Sequence, residues 1–266
     1  MRRYHGNVIH RARDPQGIIE IVDDGLNRSL HFGNAVRQSA MDLSRPDYLV
    51  LAYTRAMAST LLFKPDPNRT LLIGLGGGSL ARFILRHFPN CTVDAVERRE
   101  LVTKLAHDYF LLPDDQRLRV HIADGFEFVR HLASTSPGHY DLILIDAYTD
   151  RGMDDNMNES SFLHACRALL TENGLMAINL WGRTQPGYND SRRAIQKCFG
   201  VKPMLLPAEG TTNVIAMALR RGAHDCALKT VETHAKTLEG KTGLEMVRLA
   251  RALRKRNGPL ISRILA

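Results

Sequence analysis

One stretch of the sequence decides the fold of this chain: TLLIGLGGGS, from Thr70 to Ser79. Its first four residues favour a β-strand, and they run directly into a loop that contains four glycines. Glycines let the backbone pass close to a ligand, and the helix expected after them offers free N–H groups. Glycine-rich turns are common, so the surrounding sequence has to show which domain this one belongs to.

Short apolar strands follow the glycine loop, and helical stretches separate them. This alternation predicts a parallel sheet that is covered by helices on both faces. After the last helical stretch, only six residues separate Val201–Leu206 from Asn213–Leu219. That gap is too short for a crossover helix and predicts an antiparallel hairpin. We therefore expect an α/β fold with a class I methyltransferase-type Rossmann-like sheet. The other predicted strands are Thr70–Ile73, Cys91–Val96, Leu118–Ile122, Tyr140–Ile145 and Leu175–Leu180.

We expect three parts along the chain. Residues 1–64 form a small β region, with strands at Gly17–Val22 and Ser29–Phe32, and a linking helix that Asp47 caps and that runs to about Phe63. Residues 65–220 form the Rossmann-like domain, and residues 221–266 form a basic helical tail.

The net charge of +8 belongs to the tail and not to the rest of the chain. From Arg220 onwards there are eleven Lys/Arg and four Asp/Glu, a net of +7, which leaves the first 219 residues about neutral. Leu244, Val247, Ala250 and Leu253 repeat at helical spacing, so we expect this tail to pack on the domain or on a second subunit. Binding to nucleic acid or to an anionic membrane is the alternative.

The composition is that of an ordinary globular protein, with 44% hydrophobic residues in 266. No apolar run approaches the length of about 20 residues that a membrane span needs. The first residues contain no apolar core of a secretion signal. The four cysteines form no CxxC pair, so we expect a reduced, cytoplasmic protein without a metal site.

Acidic residues stand where successive strands of the predicted sheet end. Glu97 follows the second strand, about 20 residues beyond the glycines, where a carboxylate can accept both hydrogen bonds of a ribose diol. Asp124, with Gly125, follows the third strand, where an acid can accept from an adenine amino group. Asp146 follows the fourth strand, with Tyr148 and Asp150 behind it.

Each acid also has a purely structural explanation. Glu97 can be a surface residue, Asp124 a helix cap and Asp146 a loop residue. Their order at successive strand ends favours a nucleoside site instead. A dinucleotide oxidoreductase is the competing class, but Ser79 replaces the third glycine of its GxGxxG pattern and the predicted hairpin does not suit its fold.

Four motifs together resemble the core of the spermidine synthase (polyamine aminopropyltransferase) family over roughly residues 17 to 220. The resemblance implies that Gly74, Gly76, Gly77, Gly78, Glu97, Asp124 and Gly125 bind an adenosyl donor and that Asp146 acts on the attacking amine. It also implies donor or substrate contacts for Gln38 and Tyr53, upstream of the glycines. The motifs are LIGLGGGSLAR (72–82), AVE (95–97), ADG (123–125) and YDLILID (140–146).

The chain departs from the family pattern at two places. Where strict aminopropyltransferases have an aspartate that grips the amine of the donor, this chain has Gly77. The acidic pair after the fourth strand is one residue longer here, with Asp146 followed by Asp150. We expect Tyr148 to wall the acceptor channel and Asp150 to hold the distal ammonium of the acceptor.

Three functions remain open on these residues. The first is aminopropyl transfer from decarboxylated S-adenosylmethionine to a diamine or polyamine, by a homodimeric enzyme. It is favoured by a net charge of −4 between Asp146 and Glu159, which would gather a polycation. The second is methyl transfer from S-adenosylmethionine to a small cationic or aromatic acceptor, which Gly77 favours. The third is a catalytically silent adenosyl-binding protein whose tail binds a partner or nucleic acid.

Overall fold

A small antiparallel sheet begins the chain. The computed structural model describes residues 3–149, 152–153, 159–182, 187–221 and 228–264. The strands of the first sheet pair in sequence order, each with the next. They are β1 (Asn7–Asp14), β2 (Gly17–Asp23), β3 (Asn27–His31) and β4 (Arg37–Asp42).

The second and third of these strands match the predicted strands of the β region, whereas the first and fourth were not predicted. Strand β1 is mostly exposed and reads NVIHRARD, so it has no apolar face that a periodicity could reveal. Strand β4 reads RQSAMD and is recognisable only by its partner β3. Both strands are held by backbone pairing to a neighbour, which does not require apolar side chains.

The central sheet has seven strands in the order β12-β13-β11-β8-β5-β6-β7. Strands β11, β8, β5, β6 and β7 run parallel, and β13 pairs antiparallel with both β11 and β12. The predicted parallel sheet with a closing hairpin is therefore confirmed. Its strands are β5 (Arg69–Ile73), β6 (Thr92–Glu97), β7 (Leu118–Ile122), β8 (Tyr140–Ile145), β11 (Leu170–Leu180), β12 (Met204–Pro207) and β13 (Val214–Leu219), and a two-residue pair, β9 (Tyr148–Thr149) and β10 (Gly152–Met153), stands apart.

Helices cover both faces of the central sheet. Alternate residues of β5 show the two faces, because Leu72 packs in one buried cluster while Leu71 and Ile73 pack in the other. The first cluster includes side chains of α1, α2, α7 and α8, and the second includes side chains of α4, α5 and α6. The helices are α1 (Ala52–Ala58), α2 (Ser79–His87), α3 (Glu100–Phe110), α4 (Gly125–Thr135), α5 (Ser160–Leu169), α6 (Tyr188–Phe199), α7 (Leu228–Thr242) and α8 (Met246–Ile264).

The linking helix is shorter than predicted, and Asp47 does not cap it. Helix α1 begins at Ala52, and its N-cap is Leu51, without a side-chain cap. The carbonyl oxygens of Leu49 and Val50 accept hydrogen bonds from Nη1 of Arg55, at 2.8 and 2.5 Å. Because this side chain takes those carbonyls, the helix starts after them. A 3₁₀ helix over Ser59–Leu62 then completes the segment.

The basic tail packs on the domain, as its apolar spacing predicted. Leu244, Ala250 and Leu253 are buried, and they belong to the same cluster as the helices and strands of the central sheet. Asn257 of α8 is buried as well, and its side chain pairs with both the N–H and the C=O of Leu205, at 2.9 Å each. The tail therefore covers the outer edge of β12, whose backbone groups would otherwise lack partners.

The first sheet docks on α3. Ile19, Ile21 and Leu30 of the sheet form a buried cluster with Leu105 and Phe110 of that helix. This contact brings β4 close to the glycine loop and so shapes the site described next. In the part of the chain that the structure describes, no helix has the length and apolarity needed to cross a membrane.

Candidate active site

A cavity of about 700 Å³ lies at the C-terminal ends of the parallel strands. One wall comes from the ends of β5, β6, β8 and β11, and the opposite wall from β4 and the start of α1. Most of the residues predicted to form a site therefore meet in one place. Those that line the cavity are Gln38, Tyr53, Gly74, Gly76, Glu97, Asp124, Gly125 and Asp146.

Gly74 and Gly76 shape the floor of the cavity in different ways. Gly74 has a φ of +94°, and a side chain there would collide with the backbone carbonyl of Asp146. Glycine is therefore required where β5 and β8 leave the sheet side by side. Gly76 has a φ of +54°, in the left-handed region. Gly77 and Gly78 shape the loop but do not line the cavity.

Glu97 is held by backbone groups at the end of β6. Its carboxylate accepts hydrogen bonds from the N–H of Arg99 at 2.9 Å and the N–H of Leu75 at 3.2 Å. Burial raises the pKa of Glu97, and hydrogen bonds from the backbone of Arg99, Leu75 and Gly76 oppose that rise. The bonds to Leu75 and Gly76 tie the acid to the glycine loop, so loop and acid form one unit.

Asp124 caps helix α4, which was the structural explanation for this residue. Its Oδ1 accepts from the N–H of Phe126 at 2.9 Å and the N–H of Glu127 at 3.2 Å. It also lines the cavity together with Gly125. The cap and the cavity wall are therefore compatible, because a carboxylate has more acceptor positions than the cap uses.

Asp146 stands directly after β8 and is held by side chains. Nδ2 of Asn179 donates a hydrogen bond to Oδ1 of Asp146 at 2.9 Å. Burial raises the pKa of Asp146 to about 6, and hydrogen bonds from Asn179 and Tyr53 oppose the rise. The group is therefore ionised at neutral pH and is a stronger base than an exposed aspartate.

The opposite wall is tied to the site through Tyr53. Its hydroxyl oxygen lies 3.1 Å from the backbone carbonyl oxygen of Gln38 and also interacts with Asp146, so its one proton is shared between these two acceptors. Tyr53 therefore connects α1, β4 and the carboxylate after β8. Trp181, the one tryptophan of the chain, lines the cavity just beyond β11.

Position 77 has no room for the acid of the family pattern. A Cβ atom on Gly77 would lie 2.8 Å from Oγ of Ser39 and 2.9 Å from the ring of Phe110. Ser39 and Ser79 line the cavity here, with their hydroxyl oxygens 3.2 Å apart. The hydroxyl group of Ser39 thus occupies space that a side chain at position 77 would need.

Two further predicted residues belong to the acceptor side. Asp150 lies outside the described residues, as do Asp154 and Asp155 of the acidic segment. Tyr148 belongs to strand β9, but the structure describes only its backbone. Their roles at the acceptor side stay predictions.

Several residues that line the cavity were not predicted from the sequence, among them Ser39, Asn179, Trp181 and Asn213. Asn179 had a signal, because it is a polar residue within a predicted apolar strand, and it is only 2% exposed. Buried amides of this kind require hydrogen-bond partners. Asn213 and Ser39 had no such signal in the sequence. Ser39 lies in β4 and Asn213 directly before β13, and both are far along the chain from the glycine loop and the acids.

Known proteins are similar to this chain in sequence and in structure. The spermine/spermidine synthase domain matches residues 51–186. A polyamine aminopropyltransferase of Chromobacterium violaceum is 33% identical over 240 residues, which are 90% of each chain. A spermidine synthase solved in complex with the transition-state analogue AdoDATO has a TM-score of 0.70 at 20% identity, and the match covers 95% of this chain and 88% of the other. Human methyltransferase-like protein 13, solved in complex with SAH, has a TM-score of 0.62 at 27% identity, over 75% and 90% of the two chains.

Proposed function

This chain belongs to the spermine/spermidine synthase family, and from that premise we propose that it transfers an aminopropyl group from decarboxylated S-adenosylmethionine to a diamine or polyamine. The observation that carries the proposal is the position of Asp146. Its carboxylate lines the cavity at the end of β8, and Glu97 lines the same cavity at the end of β6. One acid can hold the donor while the other acts on the acceptor.

The donor side is formed by the glycine loop, Glu97 and Asp124. The N–H groups of Arg99, Leu75 and Gly76 use part of the acceptor capacity of the Glu97 carboxylate, and its remaining capacity is available to the hydroxyl groups of a ribose. Asp124 and Gly125 would then meet the adenine amino group, and Gln38 would close over the donor from β4. We assign Gly74 and Gly76 to close backbone approach, with Gly77 and Gly78 shaping the loop behind them.

Asp146 supplies the chemistry on the acceptor. A primary amine has a pKa of about 10.4, so it arrives as an ammonium ion without a free electron pair. The carboxylate of Asp146 pairs with the ammonium, orients it and accepts its proton. The nitrogen then bonds to the aminopropyl carbon, while the carbon–sulfur bond breaks and methylthioadenosine leaves with the electron pair.

The acceptor site is proposed around Tyr53, Tyr148 and Asp150. Tyr53 already bonds the catalytic carboxylate, so an amine bound by Asp146 would lie close to the hydroxyl group of Tyr53. The segment from Asp146 to Glu159 carries five acids and one base, and this charge supports a polycationic acceptor.

A second candidate is methyl transfer from intact S-adenosylmethionine, and the crowding at Gly77 favours it. The decarboxylated donor ends in an ammonium that an acid would hold, whereas the intact donor also carries a carboxylate. With Ser39 and Phe110 filling the space beside Gly77, no acid can stand there without displacement. The same Asp146 would still act on the acceptor.

The proposed organisation is a homodimeric, cytoplasmic enzyme with the three-part division at residues 64 and 220. The separate sheet of β1–β4, which ends at Asp42, supports a distinct first part of the chain. Free, buried thiols at Cys91, Cys166 and Cys198 support a reducing compartment. Light scattering of the purified protein would test the dimer.

The deciding experiment is transfer measured with both donors. Purified protein is mixed with putrescine or longer polyamines and with either decarboxylated or intact S-adenosylmethionine, and both products are followed. We expect aminopropylated amine and methylthioadenosine from the decarboxylated donor. Methylated amine from the intact donor alone would establish the second candidate. Tight calorimetric binding of methylthioadenosine without turnover of either donor would indicate a silent adenosyl-binding protein.

A further inference from the structure

A chain of side-chain amides runs from the hairpin β12–β13 to the catalytic carboxylate. Nδ2 of Asn213 donates to Oδ1 of Asn179 at 3.0 Å, and Nδ2 of Asn179 donates to Oδ1 of Asp146 at 2.9 Å. All three residues line the cavity. They come from different elements, because Asp146 follows β8, Asn179 lies in β11 and Asn213 precedes β13.

The direction of these bonds follows from the chemistry of the groups. An ionised carboxylate only accepts hydrogen bonds, so Asn179 has to turn its NH₂ group toward Asp146. Its carbonyl oxygen then faces Asn213, which has to donate. A buried amide whose oxygen found no donor there could turn over and present that oxygen to the carboxylate, which would repel it.

The backbone of Asn213 is fixed independently of its side chain. Its N–H donates to Oγ1 of Thr211 at 3.2 Å, and its carbonyl accepts from the N–H of Ala208 at 2.9 Å. A side chain at Gly182 would collide with the carbonyl of Thr212, so the end of β11 and the hairpin loop are in close contact. The hairpin therefore holds the amide of Asn213 at a defined place beside Asn179.

We propose that Asn213 is a positioning residue of the transfer reaction, which holds Asn179 in the orientation that donates a hydrogen bond to Asp146. This inference rests on the proposed function, in which Asp146 binds and deprotonates the acceptor. With Oδ1 of Asp146 engaged by Asn179, the other carboxylate oxygen is presented to the amine. Asn213 touches no reacting atom and acts through Asn179.

Asp146 has other neighbours that bear on its protonation. Burial raises its pKa to about 6, and Asn179 and Tyr53 are the groups whose hydrogen bonds lower it. If Asn179 turned over, one of these two opposing bonds would be lost and the pKa would rise further. The charged or titratable side chains that line the same cavity from other elements are Arg37, Tyr53, Glu97, Arg98, Arg99 and Asp124.

The test compares Asn213→Ala with Asn213→Asp. Aspartate has the size of asparagine, but its carboxylate would attract the NH₂ group of Asn179 and turn the oxygen of Asn179 toward Asp146. We expect Asn213→Ala to lower kcat about tenfold and Asn213→Asp to lower it further, as loss and reversal of a hydrogen bond to a charged group predict. A role in packing alone predicts the opposite order, because the aspartate conserves volume.

A double variant separates two effects of Asn213→Asp: direct repulsion between its carboxylate and Asp146, and the effect that passes through Asn179. In an Asn179→Leu background no amide remains to turn over, so Asn213→Asp should have little further effect. The readouts are the acid limb of the pH profile of kcat/KM and the ¹³C titration of the Asp146 carboxyl group in the ligand-free protein. Both should move to higher pH in the two single variants. Asn189→Ala, an exposed residue of α6, is the control.

The titration of Asp146 does not need turnover. It therefore tests the effect of Asn213 on Asp146 even if the transfer reaction proposed above is not found. Affinity for methylthioadenosine, followed by the fluorescence of Trp181, should stay within about threefold in all variants, since Asn213 does not act on the donor side. The proposal is overturned if both substitutions at Asn213 leave the Asp146 titration where Asn189→Ala leaves it. It is also overturned if the aspartate is milder than the alanine, or if its effect persists in the Asn179→Leu background.

Discussion

Glu97 and Asp146 are two carboxylates of one cavity that are held in opposite ways. Glu97 is the last residue of β6 and Asp146 follows β8. These two strands flank β5, and burial raises the pKa of both carboxyl groups. Glu97 receives its hydrogen bonds from backbone N–H groups. Asp146 receives its hydrogen bonds from the side chains of Asn179 and Tyr53.

The difference matches the work that each residue is proposed to do. Backbone donors are present whatever the side chains around them are, so the position of Glu97 depends on little besides the fold. Such a site suits a donor that always has the same ribose. Side-chain donors can be exchanged one by one, so the basicity of Asp146 can be adjusted to the amine. We therefore expect substitutions to separate the two sides of the cavity.

The largest effect is expected for Asp146→Asn. The variant keeps the shape and removes the charge, so turnover should fall by about 10²- to 10⁴-fold, as is typical for the loss of a general base. Affinity for methylthioadenosine should change little, because the donor side is held by Glu97. Steady-state kinetics with the reactive donor and calorimetry with methylthioadenosine measure the two quantities. Full activity of the variant would remove Asp146 from the mechanism.

Glu97→Ala should have the converse effect. Binding of methylthioadenosine or S-adenosylhomocysteine should weaken by about 1.5–3 kcal/mol, as expected for hydrogen bonds to a charged group. The matched variant Glu97→Gln keeps the volume but sets an NH₂ group against one of the two backbone N–H donors, so it should weaken binding as well. Calorimetry checks both, and the melting temperature should rise less with ligand in the variants than in the parent. If Glu97→Ala binds as well as the parent, the ribose is held elsewhere.

Asn257→Ala should affect the Asp146 side of the cavity, although Asn257 lies in α8. The substitution leaves the buried N–H and C=O of Leu205 without partners, which should cost about 1–3 kcal/mol of unfolding free energy. Because β12 forms the hairpin that carries Asn213, kcat should fall while donor affinity is unchanged. Urea unfolding and kinetics test this, with exposed Asn189→Ala as the control. Equal losses of kcat and donor affinity would mean that the hairpin serves both sides.

The smallest effect concerns stability and pH. The pKa of Asp146 is raised from 3.8 to about 6 on folding, so the folded chain loses stability as pH rises through this interval. Asp146→Asn should therefore be more stable than the parent by about 1 kcal/mol above pH 6, after allowance for solvent that reaches the cavity wall. The gain should vanish near pH 4. Urea unfolding at several pH values measures it, and a gain that is independent of pH would assign it to another cause.

Local signals explain why the glycine loop and the acids were expected at one edge of the sheet. The glycine loop and the three acids follow strands whose apolar residues are contiguous, and parallel strands bring their ends to one edge of the sheet. The position of Gln38 and Tyr53 at the same cavity came from the family resemblance. The linking helix was misplaced because its start depends on Arg55, a residue inside the helix that takes the carbonyls before it.

The sequence by itself determined the alternating strands and helices of the central sheet, its closing hairpin and the acids at the strand ends, because each depends on neighbours within a few residues. The tertiary structure alone decided which donors hold those acids. Asn213 reaches Asn179 across 34 residues, Asn179 reaches Asp146 across 33, and Asn257 reaches Leu205 across 52. The tertiary structure also decided that Ser39 fills the space beside Gly77. Single polar residues at such separations have no periodicity, and only the packing of the sheet brings them together.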